Sequence, residues 1–318
     1  MAFKQEKYDV VIIGSGPAGL TCALYCARAG LSALIIDRGM QGGQMAMTEW
    51  IDNYPGFHVG VEGAKLGEFM NEHAKRFGAE SAYATVERIV EKDSEGMLTV
   101  ETDMGPLKAR AVVVATGAAP AELGAPGETE LRGRGVSYCA VCDGNFFQGQ
   151  DVCVIGGGDA AVEEASYLAK LCRKVYIVHR RDKLRAAKAA QDAAASKENI
   201  VFALNSLPMA ILGDSEVTAL KIKDAATGVE KDLPCSGVFI YVGIKPATDF
   251  ARGTLDLDEN GFIVTDNEMR TSMDGVYAAG DARRPRNRQV VTACADGATA
   301  ALTIERILNE QPDRWRKQ

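Results

Sequence analysis

The sequence predicts an α/β protein with two doubly wound units. Three observations carry that expectation: an apolar, β-branched run opening onto a Gly-x-Gly-x-x-Gly turn near the start of the chain, a second such run and turn from Val152, and a length of 318 residues, enough for two cores. With 47% hydrophobic and 25% charged residues the composition is that of a globular chain, which excludes a disordered or collagen-like one. A formal net charge of -7 disfavours nucleic acid and anionic membrane as partners, because both require a basic face.

The first unit opens with Tyr8-Asp9-Val10-Val11-Ile12-Ile13, the continuous apolar run expected of a parallel strand covered on both faces. Gly14-Ser15-Gly16-Pro17-Ala18-Gly19 follows, then a helix-like stretch through Arg28, then Leu34-Ile35-Ile36 ending in Asp37-Arg38. Strand, glycine turn, helix and distal acid in that order form a Rossmann-like dinucleotide fingerprint: the glycines permit a tight turn and close backbone approach, the helix N-terminus faces pyrophosphate, and the acid takes ribose hydroxyls. Val10 to Ala27 is uncharged, but turn chemistry at Gly14 to Pro17 breaks it, so no membrane span is expected.

The pattern recurs at Val152-Cys153-Val154-Ile155, followed by Gly156-Gly157-Gly158-Asp159-Ala160-Ala161, a helix, and the strand Val175-Tyr176-Ile177-Val178. Here the distal acid is replaced by His179-Arg180-Arg181, with Arg185 beyond. Guanidinium groups bind a 2′-phosphate bidentately where an acid would repel it, so this turn is expected to take NADPH. One turn followed by an acid and one by arginines suggest a bound flavin adenine dinucleotide (FAD) and a transient NADPH, since a flavin accepts hydride from a nicotinamide. Val112 to Gly117, Phe239 to Gly243 and Val276 to Asp281 read as further strands ending in glycine, the last carrying Asp281 to the head of a helix.

Between the fingerprints stands Cys139-Ala140-Val141-Cys142-Asp143-Gly144. This spacing suits thiol exchange, and an adjacent acid can move the proton that accompanies the electrons. No second cysteine pair or paired histidine completes a zinc site, so no metal is expected. Cys22, Cys26, Cys153, Cys172, Cys235 and Cys294 lie among apolar residues and read as reduced, which places the protein in the cytoplasm.

On these residues the chain resembles the low-molecular-weight bacterial thioredoxin reductases from end to end. The resemblance rests on Gly14 to Gly19, Gly42-Gly43-Gln44-Met45, Asn53-Tyr54-Pro55-Gly56, Ala115-Thr116-Gly117, the Cys139 to Gly144 motif, Gly156 to Gly158, His179 to Asp182, Gly280-Asp281 and Arg288-Gln289. It implies two Rossmann-like dinucleotide-binding domains of three-layer β/β/α build, an FAD domain over 1–117 and 248–318 and an NADPH domain over 118–247 inserted in it. It further implies one tightly bound FAD per subunit, a homodimer, rotation of one domain against the other, and thioredoxin as the disulfide partner. Flavin contacts are expected from Gly14, Ser15, Gly16, Pro17, Ala18, Gly19, Asp37, Arg38, Gly43, Gln44, Asn53, Val86, Ala115, Thr116, Gly117, Gly280, Asp281, Arg288, Gln289 and Val290. NADPH contacts are expected from Gly156, Gly157, Gly158, Asp159, Ala160, His179, Arg180, Arg181 and Arg185. Cys142 matches the thiol nearer the flavin, Cys139 the thiol that attacks the partner, and Asp143 the proton donor.

Phe146 and Phe147 resemble the family's aromatic docking patch, with core packing as the alternative. Of the basic run Arg283-Arg284-Pro285-Arg286-Asn287-Arg288, Arg288 is assigned to the flavin and the others read as a solvated face, with contact to a protein as the alternative; Arg134 reads as solvated, with an acidic partner as the alternative, and Trp50 as core, with stacking near the flavin as the alternative. Three rival readings remain: a dithiol oxidase, a ferredoxin-driven reductase, and a non-catalytic NADPH or redox sensor. The first two are opposed by Arg180 and Arg181, the third by Asp143.

Overall fold

The computed structural model describes residues 3–39, 41–48, 50–51, 53–284 and 287–310. Its first stretch runs β1 (Lys7–Ile13), α1 (Pro17–Arg28), β2 (Ala33–Asp37), α2 (Gly63–Arg76), β3 (Glu80–Tyr83), β4 (Val86–Val90), β5 (Leu98–Thr102) and β6 (Leu107–Val114). After β7 (Ala118–Pro120) come β8 (Val136–Ser137), α3 (Ala140–Asp143), β9 (Asp151–Ile155), α4 (Asp159–Leu168), β10 (Lys174–Val178), α5 (Lys188–Ala195) and β11 (Ile200–Ala203). A meander of β12 (Ser206–Leu212), β13 (Ala219–Asp224) and β14 (Glu230–Pro234) precedes β15 (Gly237–Ile240) and β16 (Ile244–Pro246), and the chain closes with β17 (Val276–Ala278) and α6 (Val290–Glu310). The described residues form two compact units: unit 1 holds those up to Ala119 and again from Lys245, unit 2 holds Pro120–Ile244. The expected segment 311–318 lies outside the described residues.

Unit 1 is built on a sheet of order β3-β2-β1-β6, parallel throughout, with antiparallel β5 and β4 beyond. β6 is shared along its length: Leu107 to Ala109 pair with β5, and Val112 to Val114 pair in parallel with β17. Both faces of β1 are covered, which is why its sequence shows no polar alternation. Val10 and Ile12 join the core under α1, α2 and α6, whereas Val11 and Ile13 join a second core with Ile89, Leu98 and Val100 from β4 and β5. Each such side chain, withdrawn from water, contributes roughly 1.5–3 kcal/mol. Small residues on α1 admit α6 closely: a methyl group added at Gly297 would lie 2.1 Å from the Ala18 carbonyl oxygen.

Unit 2 repeats the plan. Its sheet, order β11-β10-β9-β15-β8, is parallel, with α3, α4 and α5 over one face and the antiparallel sheet β12-β13-β14 over the other. Val152 and Val154 face the helices; Cys153 and Ile155 face the meander. The chain passes between the units along β7 and β16, which pair as a two-stranded ribbon.

Candidate active site

In unit 1 the glycine turn is shaped by contacts only glycine permits. Gly14, at φ +108°, brings its α-carbon so close to the end of β6 that an added methyl would lie 2.4 Å from the Ala115 oxygen. The same atom at Gly19 would lie 1.9 Å from the Gly14 oxygen, so the turn and α1 interlock. Gly16 meets nothing within 4 Å, and α1 starts there without a side-chain cap. The positive end of its dipole therefore lies at this turn with no side chain of the protein capping it.

Gly43 and Asp37, both expected flavin residues, lie against this turn. Gly42 N–H donates to the Ser15 carbonyl (2.9 Å), and Gly43 abuts the Gly16 backbone. Asp37 is tied to the turn: one carboxylate oxygen accepts from Ser15 N–H (2.5 Å) and Oγ–H (2.6 Å), the other from Gly39 N–H (2.7 Å). A carboxylate accepts about four hydrogen bonds, so it retains room for a ribose hydroxyl. Ser15, Asp37, Gly39 and Gln41 line a cleft of about 540 Å³ together with Lys75, Ala79 and Tyr83. Arg38 is exposed, and Val86, half-buried, begins β4.

Asp281 follows Gly280 (φ +69°) after β17, ahead of Val290 and α6. Burial pushes its carboxyl up to about 6, Arg288 works the other way, and Asp296 adds to the rise. Thr116 Oγ1 and Arg288 Nε are buried with no hydrogen-bond partner, and Asn53 donates to the Gln289 side chain at 3.0 Å. Uncapped helix, cleft, carboxylate and unpaired buried polar atoms fit a flavin dinucleotide. The basic run departs from the sequence expectation. Arg283 is no solvated side chain: it is paired with Asp296 at 3.2 Å and donates to Thr265 Oγ1 at 2.9 Å, because a partly buried carboxylate on α6 favours a cation beside it. Arg284 is exposed, and Pro285 and Arg286 lie outside the described residues.

In unit 2, Gly158 likewise opens α4 with no side-chain cap and nothing within 4 Å. The loop after β10 folds back on the turn: Arg185 and Ala186 N–H donate to the Gly157 carbonyl, and Ala187 N–H to Asp159 (2.7 Å). Ala160 lies exposed in the first turn of α4. Arg180, Arg181 and Arg185 are exposed around this turn, whereas His179 is buried with its ring against Gly157. Burial, then Arg185, pushes the imidazole below its usual value, and its Nε2 has no partner. His179 thus packs beneath the turn, while Arg180, Arg181 and Arg185 present their charge to solvent.

Cys139 and Cys142 are joined by a disulfide, with α-carbons 5.3 Å apart. Cys139 caps α3, its sulfur accepting from Cys142 N–H at 3.2 Å. Asp143, at the end of α3, accepts from Ser137 Oγ–H at 2.6 Å; burial raises its pKa and the Ser137 bond only partly offsets this. Ser137 also accepts from Cys139 N–H (3.1 Å), so one hydroxyl links the acid to the Cys139 backbone. Tyr241 accepts from Ala140 N–H at 2.7 Å. Sequence reasoning missed Ser137, in the two-residue β8, and Tyr241, within the apolar run from Phe239. The Phe146–Phe147 pair divides: Phe146 is 53% exposed, and Phe147 packs edge-on against Phe239 with ring centres 5.3 Å apart. Arg134 is exposed and bonds the Glu130 carbonyl, and Trp50 is half-buried. Among the described residues no cluster of histidine, cysteine and carboxylate could hold a metal ion, and no helix is long and apolar enough to cross a membrane.

The family described as "Pyridine nucleotide-disulphide oxidoreductase" matches residues 8–297. A thioredoxin reductase of Listeria innocua is 48% identical over 311 residues, covering 98% of this chain and 97% of that one. One from Bacillus subtilis is 46% identical over 308 residues, with 96% of each covered. Among solved structures, the thioredoxin reductase of Streptococcus pyogenes is similar with a TM-score of 0.90 at 44% identity, covering 96% of this chain and 99% of that one.

Proposed function

The chain belongs to the pyridine nucleotide-disulphide oxidoreductases, among their thioredoxin reductases, and on that premise we propose that unit 1 holds FAD, unit 2 binds NADPH, and the electrons leave through Cys139 and Cys142 to thioredoxin. The reading includes a cytoplasmic homodimer. The observation that carries it is the capped disulfide beside a buried acid, in the same unit as a glycine turn ringed by arginines.

The Gly16 end of α1 and the Gly158 end of α4 offer unpaired N–H groups to two pyrophosphates. Arg180, Arg181 and Arg185 clamp the 2′-phosphate that distinguishes NADPH from NADH. FAD supplies, when bound, a site that takes a hydride from the nicotinamide and yields an electron pair to a disulfide. Opening the Cys139–Cys142 bond takes two electrons and, for the dithiol, two protons. Asp143, kept protonated at higher pH than an ordinary carboxyl, supplies one at sulfur. Cys142 N–H stands where it stabilises a thiolate at Cys139. That thiolate attacks one sulfur of the partner disulfide, releasing a partner thiolate. Cys142 then attacks Cys139, which re-forms the internal disulfide and frees the second partner sulfur. The net exchange consumes NADPH, a proton and the partner disulfide.

Anaerobic titration of the purified protein with NADPH, then with oxidised thioredoxin, tests this. Bleaching of a visible flavin band at small excess of NADPH and its return with thioredoxin are expected. Absence of bleaching by NADPH overturns the donor assignment and moves the ferredoxin and oxidase readings forward.

A further inference from the structure

Asp296 is a carboxylate on the second turn of α6 with a side chain only 18% exposed, and nothing in the electron path described above uses it. Its Oδ2 accepts from Gly280 N–H at 3.1 Å and from the Arg283 guanidinium at 3.2 Å. Arg283 is fixed in turn by Thr265 Oγ1 (2.9 Å) and by a backbone bridge to Ile263. The turn so held is crowded: a methyl added at Gly280 would lie 2.9 Å from Ala18 Cβ, in the first turn of α1. One carboxylate therefore joins α6, the Gly280–Asp281 turn and, through Gly280, the mouth of the first glycine turn.

We propose that Arg283 and Asp296 form a positioning pair that locks the Gly280–Asp281 turn against α1 and α6 and thereby sets the hold on FAD. The inference rests on the flavin reading of unit 1. The charged groups facing Asp281 are Arg288, ahead of α6, and Asp296, on it, with Arg283 behind Asp296; the first turn of α1 carries no titratable residue. Arg288 favours the Asp281 carboxylate, Asp296 opposes it, and Arg283 screens Asp296. A neutral Asp281 loses its value as an acceptor for a flavin hydroxyl, so acid should loosen the flavin.

The two partners thus act alike on geometry and oppositely on charge, which a merely structural pair would not do. The experiment follows flavin release from the holoprotein by the fluorescence of free flavin as a function of pH, with circular dichroism in parallel to separate release from unfolding. In Asp296→Asn and in Arg283→Met, release at neutral pH should quicken by about tenfold, the loss of one charge-assisted contact. The acid inflection of the rate should fall by about half a pH unit or more in Asp296→Asn and rise by as much in Arg283→Met, with Arg283→Lys close to the parent. Unchanged release in both neutral variants, or inflections moving the same way, overturns the proposal. A purified protein that carries and rebinds no flavin overturns the reading beneath it before any variant is made.

Discussion

Ser137 hydroxyl bonds the acid and the thiol backbone at once, and Cys139 caps the short helix that ends in that acid. Replacing Cys139 by serine keeps the cap, because a serine oxygen accepts the Cys142 N–H at least as well as sulfur does. Cys139→Ser is therefore expected to fold, to retain flavin reduction by NADPH in a rapid-mixing experiment, and to lose turnover with thioredoxin by about a thousandfold or more. Sustained turnover with thioredoxin would remove Cys139 from the role of attacking thiol. Asp143 makes a pH-dependent prediction. Burial raises its pKa, so the protonated acid is present below that raised value and is lost as pH climbs through it. The rate of disulfide reduction should be flat at low pH and fall on the alkaline side, and Asp143→Asn should lower it by about 10²-fold and abolish that limb. A variant that keeps the limb assigns it to another group. At this scale the motif Cys139 to Asp143 was legible because its residue types are the chemistry. Ser137 was not, since a lone serine beside a strand has many uses and only the fold shows what it touches. Arg283 misled for the opposite reason: a basic run looks solvated until the partly buried carboxylate opposite, Asp296, is placed.

The glycine turns show how an element encodes a site through absence of side chains. Gly16 and Gly19 belong to one motif yet face different things: Gly19 faces the protein, 1.9 Å from the Gly14 oxygen by the position of an added methyl, and Gly16 faces open space. Gly19→Ala must push α1 off the turn, and is expected to lower stability by roughly 1–3 kcal/mol or more together with flavin content. Gly16→Ala, at φ -72° and without a protein neighbour, should leave the thermal stability of the flavin-free protein within about 0.5 kcal/mol while weakening flavin binding by about tenfold or more. Comparing unfolding midpoints of the apoproteins with flavin dissociation constants separates the two. Equal loss of apoprotein stability in both would mean that Gly16 serves packing and that the opening holds no ligand. The strands and helices around these turns were legible because β1 and β9 are apolar on both faces, as sheets sandwiched between layers require. The burial of His179 was not. Its neighbours in sequence are arginines, and its contact with Gly157 arises only when β10 lies beside β9.

Two repeats of the same strand–turn–helix plan were readable from the sequence, and so were two units. Where the chain leaves one unit and returns was not readable from periodicity, because β7 and β16 are three residues each and carry no pattern. Their pairing is a matter of topology, which brings positions far apart in the chain side by side. The division has a kinetic consequence for the proposed function. The turn proposed to bind NADPH and the Cys139–Cys142 pair both belong to unit 2, and the turn proposed to hold the flavin belongs to unit 1. Two reactants carried on one body and served by a single flavin take turns, so the flavin is first loaded by NADPH and then emptied into the disulfide after a conformational step. The proposed cycle has NADP⁺ leave before the partner's disulfide is reduced. Initial rates measured against NADPH at several fixed thioredoxin concentrations should give parallel double-reciprocal lines, the pattern of a ping-pong exchange. Lines meeting at a common point would mean that both substrates are held before any electrons pass. NADP⁺ would then stay on unit 2 while Cys139 attacks the partner, and the conformational step would not depend on its release.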